Sequence, residues 1–272
     1  MHIRKKCVLG LGLIALAAVA NAQVKGPDPT AASIATDGPF AVSTQTVRGT
    51  GFGGGTVYSP NAAGTYGLVA FCPGFTATQS SIAVMGRRLA THGFVVVTIN
   101  TNSTLDQPAS RATQLLAALN AVAALNTGPV AGKVDSSRRA VTGHSMGGGG
   151  TLLALRQSTS LRAGVGLAPW SSAVKNFSAV RSPAAIIGAS ADNIAPVGSH
   201  SITFYNSINQ AEKLLAVIRG AGHLFPQANP ASQPASKYQI AWMKRWVDGD
   251  TRYSQFLVND ARLSQFASTA PF

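Results

Sequence analysis

Residues 139–155 read Arg139-Ala140-Val141-Thr142-Gly143-His144-Ser145-Met146-Gly147-Gly148-Gly149-Gly150-Thr151-Leu152-Leu153-Ala154-Leu155. The first four residues have strand character and the last five helix character, so the Gly143 to Gly147 pentapeptide lies on a tight turn from strand into helix. Such a turn holds its central residue in a strained backbone conformation, at a cost of about 1–3 kcal/mol. Glycines two positions either side leave room for neighbouring backbone. Gly148, Gly149 and Gly150 each burden the helix start by about 1 kcal/mol relative to alanine, which makes sense only if close packing or access to the helix N-terminus is needed. Ser145 is therefore read as a candidate nucleophile on an elbow.

Outward from this turn the chain alternates strand and helix. Upstream lie strand Gly67 to Phe71, helix Ser80 to Thr91, strand Phe94 to Ile99 and helix Ser110 to Leu125. Downstream lie strands Ala163 to Leu167 and Ala184 to Ile187, helix Gly198 to Ile208, strand Lys213 to Arg219 and an amphipathic helix Lys237 to Val247. Ala41 to Val47 and Thr56 to Ser59, separated by the glycine-rich 49–55, read as an antiparallel edge hairpin. Continuous apolar runs such as Phe94-Val95-Val96-Val97 mark strands buried on both faces. The expected architecture is an α/β-hydrolase fold, with a mostly parallel central sheet and helices on both faces. Only residues 168–183 separate two consecutive strands where a cap would be inserted, so no lid domain is expected.

A serine hydroxyl is a weak nucleophile until a base takes its proton, and the base needs an acid to fix its tautomer. In this fold the order is Ser, then Asp or Glu, then His. After Ser145 the histidines are His200 and His223, and the acids between Ser145 and His223 are Asp192 and Glu212. Asp192 and His223 each follow the carboxyl end of a strand, where such groups belong. Glu212 precedes a strand and His200 falls on a helix. The expected triad is Ser145, Asp192 and His223. An oxyanion needs two N–H donors: one is Met146 at the helix start, and the other is assigned to Phe75 in the loop Cys72-Pro73-Gly74-Phe75-Thr76. His144 and His92 read as structural. Trp170 reads equally well as core or as an aromatic wall for an acyl group.

The start of the chain reads as an export leader: Arg4, Lys5 and Lys6 precede an apolar run from Val8 to Val19 that closes on Ala20-Asn21-Ala22. The expected organisation is a leader over 1–22 and a single catalytic domain over 23–272, secreted to the extracellular space or the periplasm. No later apolar run is long enough to span a membrane. The net charge of +13 gives a basic protein, but its cations are scattered, which argues against a nucleic-acid partner. Cys7 and Cys72 are the two cysteines, and Cys7 goes with the leader, so no intrachain disulfide is expected and Cys72 reads as a buried, inert thiol. No metal and no cofactor are expected, because histidines, acids and Cys72 never cluster at ligand spacing.

Several stretches together resemble the bacterial cutinases and poly(ethylene terephthalate) hydrolases. They are Gly143-His144-Ser145-Met146-Gly147, Pro73-Gly74-Phe75-Thr76, the run from Asn100 to Pro108, Asp192-Asn193-Ile194-Ala195-Pro196-Val197 and Ala241-Trp242-Met243-Lys244-Arg245. The resemblance implies a serine ester hydrolase, acting as a monomer on a polymeric or small ester. It implies the triad Ser145, Asp192 and His223, with Phe75 and Met146 at the oxyanion and Trp170 as an aromatic clamp. A general lipase or short-chain carboxylesterase is the alternative reading. His144, His200 and Phe204 match the cutinase-like members, for which a fixed Trp170 is expected. The chain departs from the family at Val258 and Ala270, where cysteines usually stand, and at Arg219, where thermophilic relatives carry an acidic calcium ligand. Modest heat tolerance is the expectation from these departures.

Overall fold

The computed structural model describes residues 24–227 and 234–272; the expected leader lies outside them. Nine strands form one sheet: β1 (Val42–Val47), β2 (Gly55–Pro60), β3 (Tyr66–Cys72), β4 (Phe94–Ile99), β5 (Val134–His144), β6 (Leu161–Leu167), β7 (Ala184–Ala189), β8 (Lys213–Ile218) and β9 (Leu263–Ser268). Their spatial order is β1-β2-β4-β3-β5-β6-β7-β8-β9. The strands from β4 to β8 run parallel, while β1 pairs with β2, β2 with β4 and β8 with β9 antiparallel. This is the α/β-hydrolase architecture read from the sequence. Because the central strands are parallel, their carboxyl ends share one edge, and the loops leaving β3, β5, β6, β7 and β8 meet there.

Five helices cover the sheet: α1 (Ala83–Thr91), α2 (Pro108–Ala123), α3 (Met146–Gln157), α4 (Thr203–Ser207) and α5 (Pro234–Trp246). Side chains alternate along each strand, so successive residues enter opposite layers. Val69 and Phe71 of β3 with Phe94 and Val96 of β4 pack with Met85, Leu89 and Trp242 from α1 and α5. Leu68, Ala70 and Cys72 with Val95 and Val97 pack with Leu115, Leu119 and Leu152 from α2 and α3. Helix α2 starts with Pro108, a residue preset for the first helical position.

Three differences from the sequence reading have local causes. Strand β5 begins at Val134, earlier than the apolar run indicates, because its register shifts opposite Gly67 and Leu68. There Asp135 bends the chain by accepting from the N–H and hydroxyl of Ser137. The segment read as a helix from Gly198 starts as a π-helical turn, Gly198–Ile202, before α4. Strand β9 was not foreseen: only Leu263 in it is fully buried, so the edge strand carries no clean apolar alternation. Residues 168–183, between β6 and β7, contain no helix or strand.

Candidate active site

Ser145 is the residue between β5 and α3 and has φ 55° and ψ −120°, a region L-residues rarely occupy. The surrounding glycines are required by contact. A Cβ on Gly143 would lie 2.1 Å from the Gly147 carbonyl oxygen, and one on Gly149 would lie 2.1 Å from that of Trp170. The cost of a glycine-rich helix start is thus offset by close approach of the loops to the elbow.

The loops after β7 and β8 bring two more side chains to Ser145. His223 Nε2 is 2.8 Å from Ser145 Oγ, and His223 Nδ1 is 2.8 Å from Asp192 Oδ2. A carboxylate only accepts, so Nδ1 carries the proton and Nε2 is left to accept from the serine hydroxyl. Asp192 Oδ1 accepts from the N–H groups of Ile194 and Ala195 at 2.8 and 2.7 Å. All three side chains are buried. Burial works against a charge on Asp192, but the His223 imidazole and the Ala195 and Ile194 amides outweigh it and hold the carboxyl below its ordinary pKa. The two loops are tied to each other through Ala191 N–H to the Ala221 carbonyl, 2.9 Å, and Gly220 N–H to Ser190 Oγ, 2.7 Å.

Phe75 belongs to the loop leaving β3. A Cβ on Gly74 would stand 3.0 Å from Ser145 Cβ, which puts this loop directly against the elbow. Among the described residues the Phe75 N–H donates to no protein acceptor. Met146 opens α3 and is itself buried; the first N–H groups of a helix have no acceptor within it. A cleft of about 260 Å³ opens over this arrangement, with Ser145 and His223 in its wall and Phe75, Ile194 and Leu224 on its apolar side. Those last three are about half exposed, and the sequence reading had not singled out Ile194 or Leu224. A polar Asp-Asn before Ile194 and a histidine before Leu224 hid both from any apolar periodicity.

Trp170 N–H donates to the Ser145 carbonyl at 2.8 Å, so its backbone abuts the elbow. Its ring does not line the same cleft. It stacks on His200 with ring centres 6.2 Å apart, and His200 in turn meets Phe204 edge-on at 5.6 Å. His200 therefore sits beneath Trp170, outside the Ser145, His223 and Asp192 chain, and burial with the nearby Lys175 charge lowers its pKa.

His144 is more closely involved than its sequence position indicates. Its Nε2 donates to the His223 carbonyl at 2.9 Å and the two imidazoles lie 4.9 Å apart. Its Nδ1 is buried without a partner among the described residues. Burial and the adjacent His223 push its pKa down to about 4, so it is a neutral strut under the His223 loop. Cys72 is buried, and desolvation raises its thiol to about 12, which leaves it no thiolate at neutral pH.

The comparisons with known proteins point one way. The PET hydrolase-like family matches residues 17–270. A cutinase from Thermobifida fusca (strain YX) is 48% identical, covering 97% of this chain and 91% of its own. Cutinase 1 from Thermobifida cellulosilytica is 48% identical over 93% of this chain and 100% of its own. A bis(hydroxyethyl) terephthalate hydrolase from Streptomyces coelicolor is 47% identical over 87% of this chain and 77% of its own. With an α/β-hydrolase sheet and a buried serine, imidazole and carboxylate joined at its carboxyl edge, the chain belongs to the PET hydrolase-like family and is a carboxylic ester hydrolase.

Proposed function

We propose that the protein is an exported serine hydrolase that cleaves polyesters through an acyl-enzyme, with Ser145 as nucleophile, His223 as general base and then acid, and Asp192 orienting the imidazole. The observation that carries this is the unbroken chain from Ser145 Oγ through His223 to Asp192 Oδ2, each link 2.8 Å. Ser145 Oγ attacks the ester carbonyl carbon while its proton passes to His223 Nε2. The Phe75 and Met146 N–H groups take the oxyanion. Collapse breaks the bond to the alkoxy oxygen, which leaves as the alcohol with the proton from His223. Water gives a proton to the same nitrogen and attacks the acyl carbon; the bond to Ser145 Oγ then breaks, the acid leaves, and the proton passes from His223 Nε2 back to Oγ.

The polyester reading draws on the relatives named cutinase and bis(hydroxyethyl) terephthalate hydrolase. The open cleft with Phe75, Ile194 and Leu224 half exposed suits an extended apolar chain, and Trp170, whose backbone abuts the elbow beside that cleft, is assigned to flank an acyl group that extends past it. The leader over 1–22 directs export of a single catalytic domain, 23–272, that works as a monomer. No helix among the described residues is long and apolar enough to cross a membrane.

Ser145→Ala is expected to abolish release of acid from cutin, aliphatic polyester film, poly(ethylene terephthalate) film and triglyceride alike, with the fold intact by circular dichroism. Retained ester hydrolysis would sink the serine mechanism. Activity on triglyceride and short p-nitrophenyl esters, with no product from any film, would turn the reading to a general lipase or carboxylesterase.

A further inference from the structure

The chain buries two arginines without a carboxylate partner among the described residues, and they differ in placement. Arg88 is in the last turn of α1 and donates to the carbonyls of Ile34 and Thr36; a cation is favoured at that helix end. Arg111 is in the first turn of α2, where the helix dipole opposes a cation, and it is 0% exposed. A guanidinium out of water with no counter-ion and at the wrong helix end is costly, so its contacts must return something that packing alone does not.

Those contacts are three backbone carbonyls: Asp106 from Nε at 2.7 Å, Pro73 at 3.1 Å and Thr104 at 2.9 Å from the two terminal nitrogens. Pro73 belongs to the loop that carries the Phe75 N–H. Thr104 accepts a second bond, from the Thr76 N–H at 2.9 Å. Thr76 is one of the described non-glycine residues at positive φ, 58°, a strained state that persists only where neighbours enforce it. The guanidinium thus grips the loop just before Gly74 and, through the Thr104 carbonyl, just after Phe75. Gly74 is fixed between them by the Ala77 N–H on its carbonyl at 3.3 Å. Peptide planes are rigid, so pinning both flanks and the Gly74 carbonyl sets the direction of the Phe75 N–H.

We propose that Arg111 is a positioning residue for the oxyanion-binding backbone, holding the 73–76 loop so that the Phe75 N–H points at the developing oxyanion. This rests on the reading of Ser145 as nucleophile and Phe75 as donor. Arg111 touches no substrate; its effect runs through the loop, and its charge beneath that loop has the sign that favours an oxyanion.

The test compares Arg111→Met, Arg111→Lys and Arg88→Met with the wild type, measuring melting, steady-state hydrolysis of p-nitrophenyl butanoate, and inhibition by phenylboronic acid, whose serine adduct is tetrahedral and anionic. A donor misplaced by about 1 Å costs about 100-fold. Arg111→Met should therefore lose about 10–100-fold in kcat with KM within about two-fold, and its boronate inhibition constant should rise by a matching factor. Arg111→Lys, keeping the charge but not the three-way fork, should fall between. Arg88→Met should melt earlier while kcat and boronate affinity stay put. A folded Arg111→Met with wild-type kcat, or with lower kcat but unchanged boronate affinity, overturns the proposal. If Arg111→Met does not fold, Arg111→Lys decides: loss in both readouts supports it and wild-type values in both overturn it. A wild-type enzyme that fails to bind the boronate would strike the serine reading instead.

Discussion

Asp192 and Asp248 are buried to a similar depth, 5% and 2% exposed, and their surroundings hold them by different means. Asp192 accepts from two amides and an imidazole, and keeps its pKa below the ordinary value against the cost of burial. Asp248 sits in a cluster of full charges: Lys244 Nζ at 2.7 Å and Arg138, which also pairs with Asp135 at 2.8 Å. Even so, burial raises Asp248 above its ordinary pKa, and the cations only partly offset it. The first arrangement sets a carboxylate against an imidazole with no other full charge among the described residues in contact, so it can stabilise an imidazolium when one forms. The second alternates signs across Asp135, Arg138, Asp248 and Lys244 and has no charge left to offer. One is arranged for proton transfer and the other ties the start of β5 to the end of α5.

The largest effect that separates them is on rate. Asp192→Asn should lower kcat by about 10⁴-fold, since the amide supports the wrong imidazole tautomer, whereas the folded fraction of Asp248→Asn should keep wild-type kcat. Steady-state hydrolysis of a soluble ester, normalised to active sites, checks both. Equal losses in the two variants would mean the buried charge cluster reaches the chemistry. Stability should invert the order: Asp248→Ala strands the buried Lys244 cation and leaves Arg138 with Asp135 alone, and should cost about 3–5 kcal/mol in denaturant unfolding. Asp192→Asn keeps an oxygen to accept from the Ile194 and Ala195 amides, and should cost less than half of that.

The difference between these regions was only partly legible in the residues. Asp192 and His223 stood out because few acids and histidines follow Ser145 and each lies just past an apolar strand. The glycine run after Ser145 advertised close packing, and the contacts at Gly143 and Gly149 are the reason. The Arg138, Asp248 and Lys244 cluster was invisible, because Arg138 and Asp248 are 110 residues apart in chain and any Lys-x-x-x-Asp pair near a helix end reads as solvated. Arg111 was hidden likewise: its three partners are backbone carbonyls, which leave no mark in composition. His144 reads as structural, pointing away from Ser145, because adjacency along a strand turns neighbouring side chains to opposite faces; its contact with the loop after β8, which folds back to meet it, is not legible in the sequence.

A buried histidine in each region gives the next largest effect. Burial and the adjacent His223 hold His144 at about 4, although the His223 carbonyl works the other way. Burial with the charges of Arg88 and Lys244 holds His92 at about 4 as well. In both, the folded pKa lies below the unfolded value of 6.5. Their stabilising contribution is therefore complete above pH 6.5 and is lost as pH falls toward 4, at about 1.4 kcal/mol per pH unit for each group. Unfolding free energy measured between pH 7 and 4 should fall accordingly, and His92→Gln should remove about half of the slope. A flat profile would show that neither ring is held neutral by burial.

The smallest effect sharpens the comparison from outside. Arg87 and Asp37 form an ion pair at 2.8 Å with both side chains 49% exposed, a geometry as close as that of Lys244 and Asp248. Water and salt screen such a pair, so its coupling should be no more than about 1 kcal/mol and should fade further as ionic strength rises. A double-mutant cycle of Arg87→Ala and Asp37→Ala measures it directly, beside Arg138→Ala and Asp248→Ala as the buried counterpart. The exposed cycle should approach zero in high salt while the buried one holds, because only the buried charges lose their solvent. If the two couplings match in size and in salt response, burial is not what distinguishes Asp248, and the reading of the cluster as a structural tie loses its basis.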